Sequence, residues 1–412
     1  MDMAMFKDMD LIITGVRIVD AEKDEFGIII IEDGLIGSVD SDNGNKGYRI
    51  INGRGFTAMP AFVDTHAHFR EPGFEYKETI ETGSKAAVRG GYTTVLLMGN
   101  TNPPASTREI IESVQEKGKA IGLVDVIQCA TVTDGIGGED ISHLNSVLDV
   151  TKFITDDGKG VMNDKIALDA MILAKSKDAT VISHAENHYF SQTDMRLAEN
   201  LMTFRDIELA RISGCKLHMA HVSTREAIGR IIESKKEGLS VTCEVTPHHL
   251  IGDSRIDYRV NPPLRDREDV AALIKAIKAG YVDAIGTDHA PHSQEDKENG
   301  APGISGIETS FSICNTVLVK EHNMSMSQLS EIMSEKPAKI LGIKKGLIKE
   351  GYAGDIVLVD EDASYVINSE EFESKGKNTP FNGLSVYGKV IMTIKAGEVV
   401  YKGADYDSRK NI

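Results

Sequence analysis

Residues 64–73, DTHAHFREPG, place two histidines one residue apart and an arginine two further on. Side chains alternate faces along a strand, so His66, His68 and Arg70 share one face. Two neutral imidazoles beside a guanidinium make a poor buried core. They suit a metal site with an anion receptor next to it. Hydrolytic metal sites use histidine nitrogen and carboxylate oxygen converging from several strands. Further candidates end other apolar runs: Asp157 in FITDDG, His184 in VISHAEN, His221 in HMAHVS and Asp288 in IGTDHAPH. Singly, each has a bland explanation, because a strand-end histidine is more often a hydrogen-bonded structural residue and TDDG alone is a good turn. Six such residues in order along one chain outweigh those explanations.

The chemistry follows from the donor set. Two metals joined by a carboxylate would hold a hydroxide between them and lower its pKa for attack on an amide carbon. Asp288 would coordinate one metal, take the proton from that hydroxide and pass it to the departing nitrogen. A cation beside metals is repelled unless the substrate is anionic, so Arg70 points to a ligand carboxylate held by a bidentate pair. Asn100 in MGNTNPP, Asn261 in RVNPPLR and His292 in DHAPH would complete that pocket. Four other histidines serve as contrast. His218, three residues before His221, is expected to face away, packed or hydrogen-bonded against a helix. His248 and His249 are candidates for orienting a ligand from behind, and His289 is expected to point elsewhere.

From residue 58 to 342, apolar strands alternate with amphipathic helical stretches, as in YTTVLLMGN before STREIIESVQEKGK. That alternation implies parallel βα units. The polar residues gather after the strands, where a (β/α)8 barrel carries its chemistry. An open doubly wound sheet would need a glycine-rich loop after an early strand, and GYTTVLLMGNTNPP has none. The ends have a different texture. LIITGVRIVD and FGIIIIEDGLIGSV near the start, and GDIVLVD and YGKVIMTIKAGEVVY near the end, read as strands, with KAGE as a hairpin turn. We therefore expect an α/β chain: a barrel domain over 58–342 and a small β domain assembled from 1–57 and 343–412. HSQEDKENGAPG, 292–303, reads as a polar loop.

The chain of 412 residues carries a formal charge of −17 with its carboxylates spread throughout. Nucleic acid or an anionic membrane would call for basic stripes, so neither is expected as a partner. No apolar run approaches the roughly 20 residues of a membrane span. The N-terminal MDMAMFKDMD lacks a basic segment and apolar core, arguing against a secretory signal. Four scattered cysteines suggest neither zinc knuckle nor disulfide framework. A reducing cytoplasm fits best.

In order, DTHAHFREPG, MGNTNPP, TDDG, SHAEN, AHVST, TPHHL, NPPLR and GTDHAPH closely resemble the class I dihydroorotases, in the cyclic amidohydrolase branch of the amidohydrolase superfamily. The resemblance covers almost the whole chain. It implies reversible cyclisation of N-carbamoyl-L-aspartate to (S)-dihydroorotate in de novo pyrimidine biosynthesis, with two zinc ions per chain. His66 and His68 would bind one, His184 and His221 the other, with Asp157 bridging and Asp288 the catalytic ligand. His68, Arg70, Asn100, Asn261, His292, Pro302 and Gly303 match substrate-contacting positions. Asp157 is preferred to Asp156 because it stands 27 residues before His184, as in bacterial members. Other members bridge with a carboxylated lysine, which makes Lys152 the alternative. Family habit also raises a homodimer and association with an aspartate transcarbamoylase. The competing readings are another cyclic amidase (dihydropyrimidinase, hydantoinase or allantoinase) and a non-catalytic scaffold. The former act on uncharged rings, for which Arg70 has no partner.

Overall fold

A computed structural model describes residues 10–37 and 47–408. All but the last residue of the MDMAMFKDMD segment lie outside the described residues. Eight short parallel strands form the centre: β1 (Phe62–Ala67), β2 (Tyr92–Leu97), β3 (Asp125–Gln128), β4 (Phe153–Ile154), β5 (Thr180–Ser183), β6 (Lys216–Met219), β7 (Val241–Val245) and β8 (Ala284–Ile285). They pair in chain order as two ladders, β1 to β3 and β4 to β8. Two parallel bridges join the ladders into a ring, Ala130 with Ile154 and Ala67 with His289. This is the expected (β/α)8 barrel.

Alternation along the strands sorts the core. Val95, Leu97, Leu217, Met219, Cys243 and Val245 join the large apolar cluster shared with the surrounding helices. Intervening residues face inward, where Val63, Leu96, Phe153, Ile182 and Ala220 cluster with Ala338 and Leu341 of the helix Lys336–Leu341. Six major helices, beginning at Ile80, Arg108, Asp164, Met195, Arg225 and Arg267, are each capped by a side chain that accepts an N-terminal backbone N–H. Such caps are worth about 1 kcal/mol each. Arg108–Ile121 buries Ile111, Val114 and Gly118, the helical stripe its sequence foretells.

Among the described residues, strands from both ends pair in one eight-stranded sheet with its own apolar core, including Leu11, Ile13, Ile31, Ile356, Leu358 and Ile394. Its central strand, Thr57–Pro60, lies parallel to Leu11–Val19 and antiparallel to Ile356–Val366. One residue later the chain enters β1, so this sheet anchors the strand that carries His66. KAGE is the hairpin turn expected, with Lys395 opposite Glu398 and both Ala396 and Gly397 at positive φ. The segment 292–303 is more ordered than its composition suggests. It contains a short helix, Gln294–Glu298, closed by a capping box between Ser293 and Asp296.

Candidate metal centre

The six ligand candidates stand at or just past the carboxyl ends of five barrel strands, β1, β4, β5, β6 and β8. His66 lies within β1 with His68 just beyond it, Asp157 three residues past β4, His184 directly after β5, His221 two past β6 and Asp288 three past β8. His221 and Asp288, with Arg70, adopt positive φ of 34°, 46° and 62°. Non-glycine residues there cost of order 1 kcal/mol or more, and such positions concentrate at functional sites. Here the turn aims each side chain back over the barrel mouth.

Two buried donor triads result, His66–His68–Asp157 and Asp157–His184–His221, each with its ligand atoms within 4.8 Å of one another. Asp157 belongs to both. Its Oδ1 lies 3.4 Å from His66 Nε2, 3.3 Å from His184 Nδ1 and 3.8 Å from His221 Nε2, while Oδ2 lies 3.5 Å from His68 Nε2. Asp288 Oδ1 stands 3.2 Å from His68 Nε2 and 3.7 Å from His66 Nε2. The far nitrogens of three rings are held from behind. His66 Nδ1 meets Glu244 Oε1 at 2.7 Å, His68 Nδ1 meets Asn100 Oδ1 at 3.0 Å, and His184 Nε2 meets Glu186 Oε2 at 2.9 Å. Each of these oxygens accepts a ring N–H, so the lone-pair nitrogens are His66 Nε2, His68 Nε2 and His184 Nδ1, all turned toward Asp157.

These residues fit a pair of metal ions. His66 Nε2 is buried without a hydrogen-bond partner, and a lone pair so placed needs a cation or proton. Burial disfavours a charged His184, yet Asp157 and Glu186 push its pKa up to about 9. Against the same cost of burial, Glu244 and Asp157 raise His66 well above the ordinary histidine value. That anionic field equally favours a bound divalent cation.

Beside the triads opens a cavity of ≈ 190 Å3 lined by His68, Arg70, Asn100, Asp157, His184, His221, Asn261, Asp288, His292, Pro302 and Gly303, among others. All seven substrate-contact candidates border it. Arg70 donates from Nε to the Pro291 carbonyl at 3.2 Å, and its Nη2 lies 3.2 Å from His292 Nε2. Both partners are uncharged, and among the described residues no carboxylate pairs with Arg70. Burial first, then the charge of Arg70, lower the His292 pKa to about 3, so its ring is neutral near pH 7. Asn100 donates to Asp157 Oδ2 at 3.0 Å, and Asn261 donates to Glu186 Oε2 at 2.7 Å, tying the cavity wall to both triads.

The structure also corrects several expectations. Lys152 is exposed at the start of β4, and its amine donates to the Leu148 and Lys177 carbonyls at 2.9 and 3.3 Å, so it does not reach the triads. Asp156 accepts from the backbone of Val132 and Thr133 and supports the turn, leaving Asp157 to face the histidines. His218 does not pack on a helix. Leu217 and Met219 take the helix-facing side, and His218 points inward to Thr242 Oγ1 and Glu244 Oε2, at 2.8 and 3.1 Å. Three-residue spacing misleads because His221 lies beyond the strand, where alternation ends. His249 bonds Thr246 and the Pro262 carbonyl, and neither it nor His248 holds one of the ligand rings. His289 turns toward Glu78, 3.5 Å away, as expected. Sequence reasoning missed Glu186 and Glu244. A carboxylate inside the apolar run SVTCEV was the available signal for Glu244.

The amidohydrolase family description matches residues 57–400. The chain is 50% identical over 397 residues to a dihydroorotase of Clostridium botulinum, covering 96% of this chain and 100% of that one. It is 40% identical to a dihydroorotase of Bacillus subtilis, covering 89% and 91%. Among solved structures, an L-hydantoinase (dihydropyrimidinase) from Arthrobacter aurescens superposes with a TM-score of 0.88 at 25% identity, covering 96% of both chains. A dihydropyrimidinase from Brevibacillus agri gives 0.87 at 26% identity, covering 96% and 95%.

Proposed function

The chain belongs to the amidohydrolase family and has dihydroorotase function, and from that premise we propose how its residues divide the work. His66 and His68 would hold one zinc and His184 and His221 a second, with Asp157 contributing to both donor sets and Asp288 beside His66 and His68. The imidazole and carboxylate donors suit zinc, and cobalt or manganese would fit the same set. Bound there, two divalent cations supply Lewis-acid polarisation of the amide carbonyl and acidify a water.

Asp288 is the proton carrier. Against its burial, His68 and His66 hold its carboxyl well below the usual range, so it is ionised at neutral pH, and its role as base rests on its place beside His68 at the cavity. Its position between the triads and the cavity lets it return that proton to the ring nitrogen in hydrolysis, and the reverse applies in cyclisation. Arg70 receives the substrate carboxylate. Asn100 and Asn261 orient the ligand's polar edge, the neutral His292 offers a switchable donor, and Pro302 with Gly303 forms the wall against the ring.

The observation that carries this reading is an arginine beside an anionic metal site with only uncharged partners of its own. It favours a dianionic acyclic substrate and a ring bearing a carboxylate over the neutral rings of hydantoinases. Arg70→Met tests this. It is expected to raise KM for dihydroorotate and carbamoyl-aspartate by about 100-fold, the loss of a charge-assisted pair worth roughly 2–3 kcal/mol, while hydrolysis of dihydrouracil or hydantoin changes little. Equal damage to both substrate classes would remove the carboxylate-receptor role. A place in de novo pyrimidine biosynthesis belongs to the same reading and rests on the family resemblance, a cytoplasmic setting rests on the scattered cysteines, and the division into 58–342 and the paired ends 1–57 and 343–412 rests on the change of sequence texture.

A further inference from the structure

We infer that Glu244 is the positioning residue of the first metal half, and that residue 286 is glycine in order to admit it. This rests on the reading of His66 as a ligand. Glu244 is fully buried on β7. Its Oε1 accepts from His66 Nδ1 at 2.7 Å and from the His221 backbone N–H at 3.3 Å. Its Oε2 accepts from the Thr65 hydroxyl and lies 3.1 Å from His218 Nε2. One carboxylate thus gathers side chains and backbone from β1, β6 and the turn after β6. It fixes His66 in the tautomer and ring orientation that aim Nε2 at Asp157.

Gly286 stands between β8 and the Thr287–Asp288 turn. A Cβ built there would overlap the Glu244 carboxylate, meeting both its carbon and its oxygens. The backbone of Gly286 lies outside the left-handed region, so the demand for glycine is one of space. A side chain at 286 requires the carboxylate to shift from its present place beside His66. The glycine of IGTDHAPH and the glutamate of SVTCEV are therefore one device, split between neighbouring strands.

The experiment measures zinc affinity at each of the two sites by competition with a chromophoric chelator, on the purified full chain, for wild type, Glu244→Gln, Glu244→Ala, Gly286→Ala and the double Gly286→Ala/Glu244→Ala. Partners behind a ligating histidine are worth about 10–100-fold in metal affinity. Glu244→Ala is expected to weaken one zinc by that factor and leave the other unchanged. Glu244→Gln keeps an acceptor for His66 Nδ1–H and is expected to retain most of the affinity. Gly286→Ala is expected to weaken the same zinc, and that loss is expected to disappear in the Glu244→Ala background, where there is no carboxylate to displace. Should Glu244→Ala not fold, the Gln and Gly286→Ala variants carry the test. Unchanged affinities, equal weakening of both zinc ions, or additive losses in the double variant would overturn the inference. Wild type that binds no zinc would instead overturn the metal reading beneath it.

Discussion

At Asp288 geometry and protonation meet: the carboxylate is buried 3.2 Å from His68 Nε2 and kept ionised by its histidine neighbours. Asn at 288 preserves shape and one coordinating oxygen but cannot carry a proton. Asp288→Asn is therefore expected to retain zinc, measured on the purified protein, and to lose roughly 10²–10⁴-fold in kcat. His292 gives a pH signature. Its folded pKa of about 3 lies below the ordinary 6.5, so the unfolded chain binds a proton in that window that the folded chain refuses. Its contribution is whole above pH 6.5 and is lost as pH falls toward 3. Relative to His292→Gln, wild type is expected to lose about 1–2 kcal/mol more between pH 7 and pH 5, read from denaturation midpoints. At this scale the donor triads were legible because histidine and aspartate ending apolar runs are rare in combination. Glu186 was not, because nothing in SHAEN shows that this carboxylate turns back to the His184 ring, where it also meets Asn261 from 75 residues away.

At the scale of elements, the loops after β1 and β2 must interlock to bring Arg70 and Asn100 to one cavity. Gly73, at φ +96°, lies so close to Asn102 that a Cβ would overlap its backbone carbonyl, and Asn102 N donates to the Pro72 carbonyl at 2.9 Å. Gly73→Ala has to part these loops. It is expected to raise KM for dihydroorotate by about tenfold or more while both zinc ions stay bound, since no ligand lies on the displaced segment; unchanged KM would show that the contact is dispensable. Strand and helix order and the KAGE hairpin could be read from local pattern. The inward face of β6 could not. The count from His218 to His221 crosses a strand end, and only the paired register of Leu217 with Val241 and Met219 with Cys243 shows which side is which. Lys152 failed for the opposite reason: it sits at the entrance of β4, a full strand away from the mouth where Asp157 turns in.

At the scale of the molecule, one sheet drawn from both ends grips Thr57–Pro60, which leads into β1 and so to His66 and His68. The ordered motifs made family and barrel legible, because polar residues at successive strand ends leave a long, directional trace. The buried carboxylates beneath them left little, since their partners come together only when the ring closes. The central claim is that the paired triads hold metal which dihydroorotate turnover requires. It is tested most directly by following interconversion of dihydroorotate and N-carbamoyl-L-aspartate with metal content measured on the same sample, before chelation, after it and after zinc is restored. The account predicts about two zinc ions per chain, activity abolished by chelation and recovered with zinc. Turnover that survives complete removal of metal, or a fully metallated protein that leaves both compounds untouched, would contradict it.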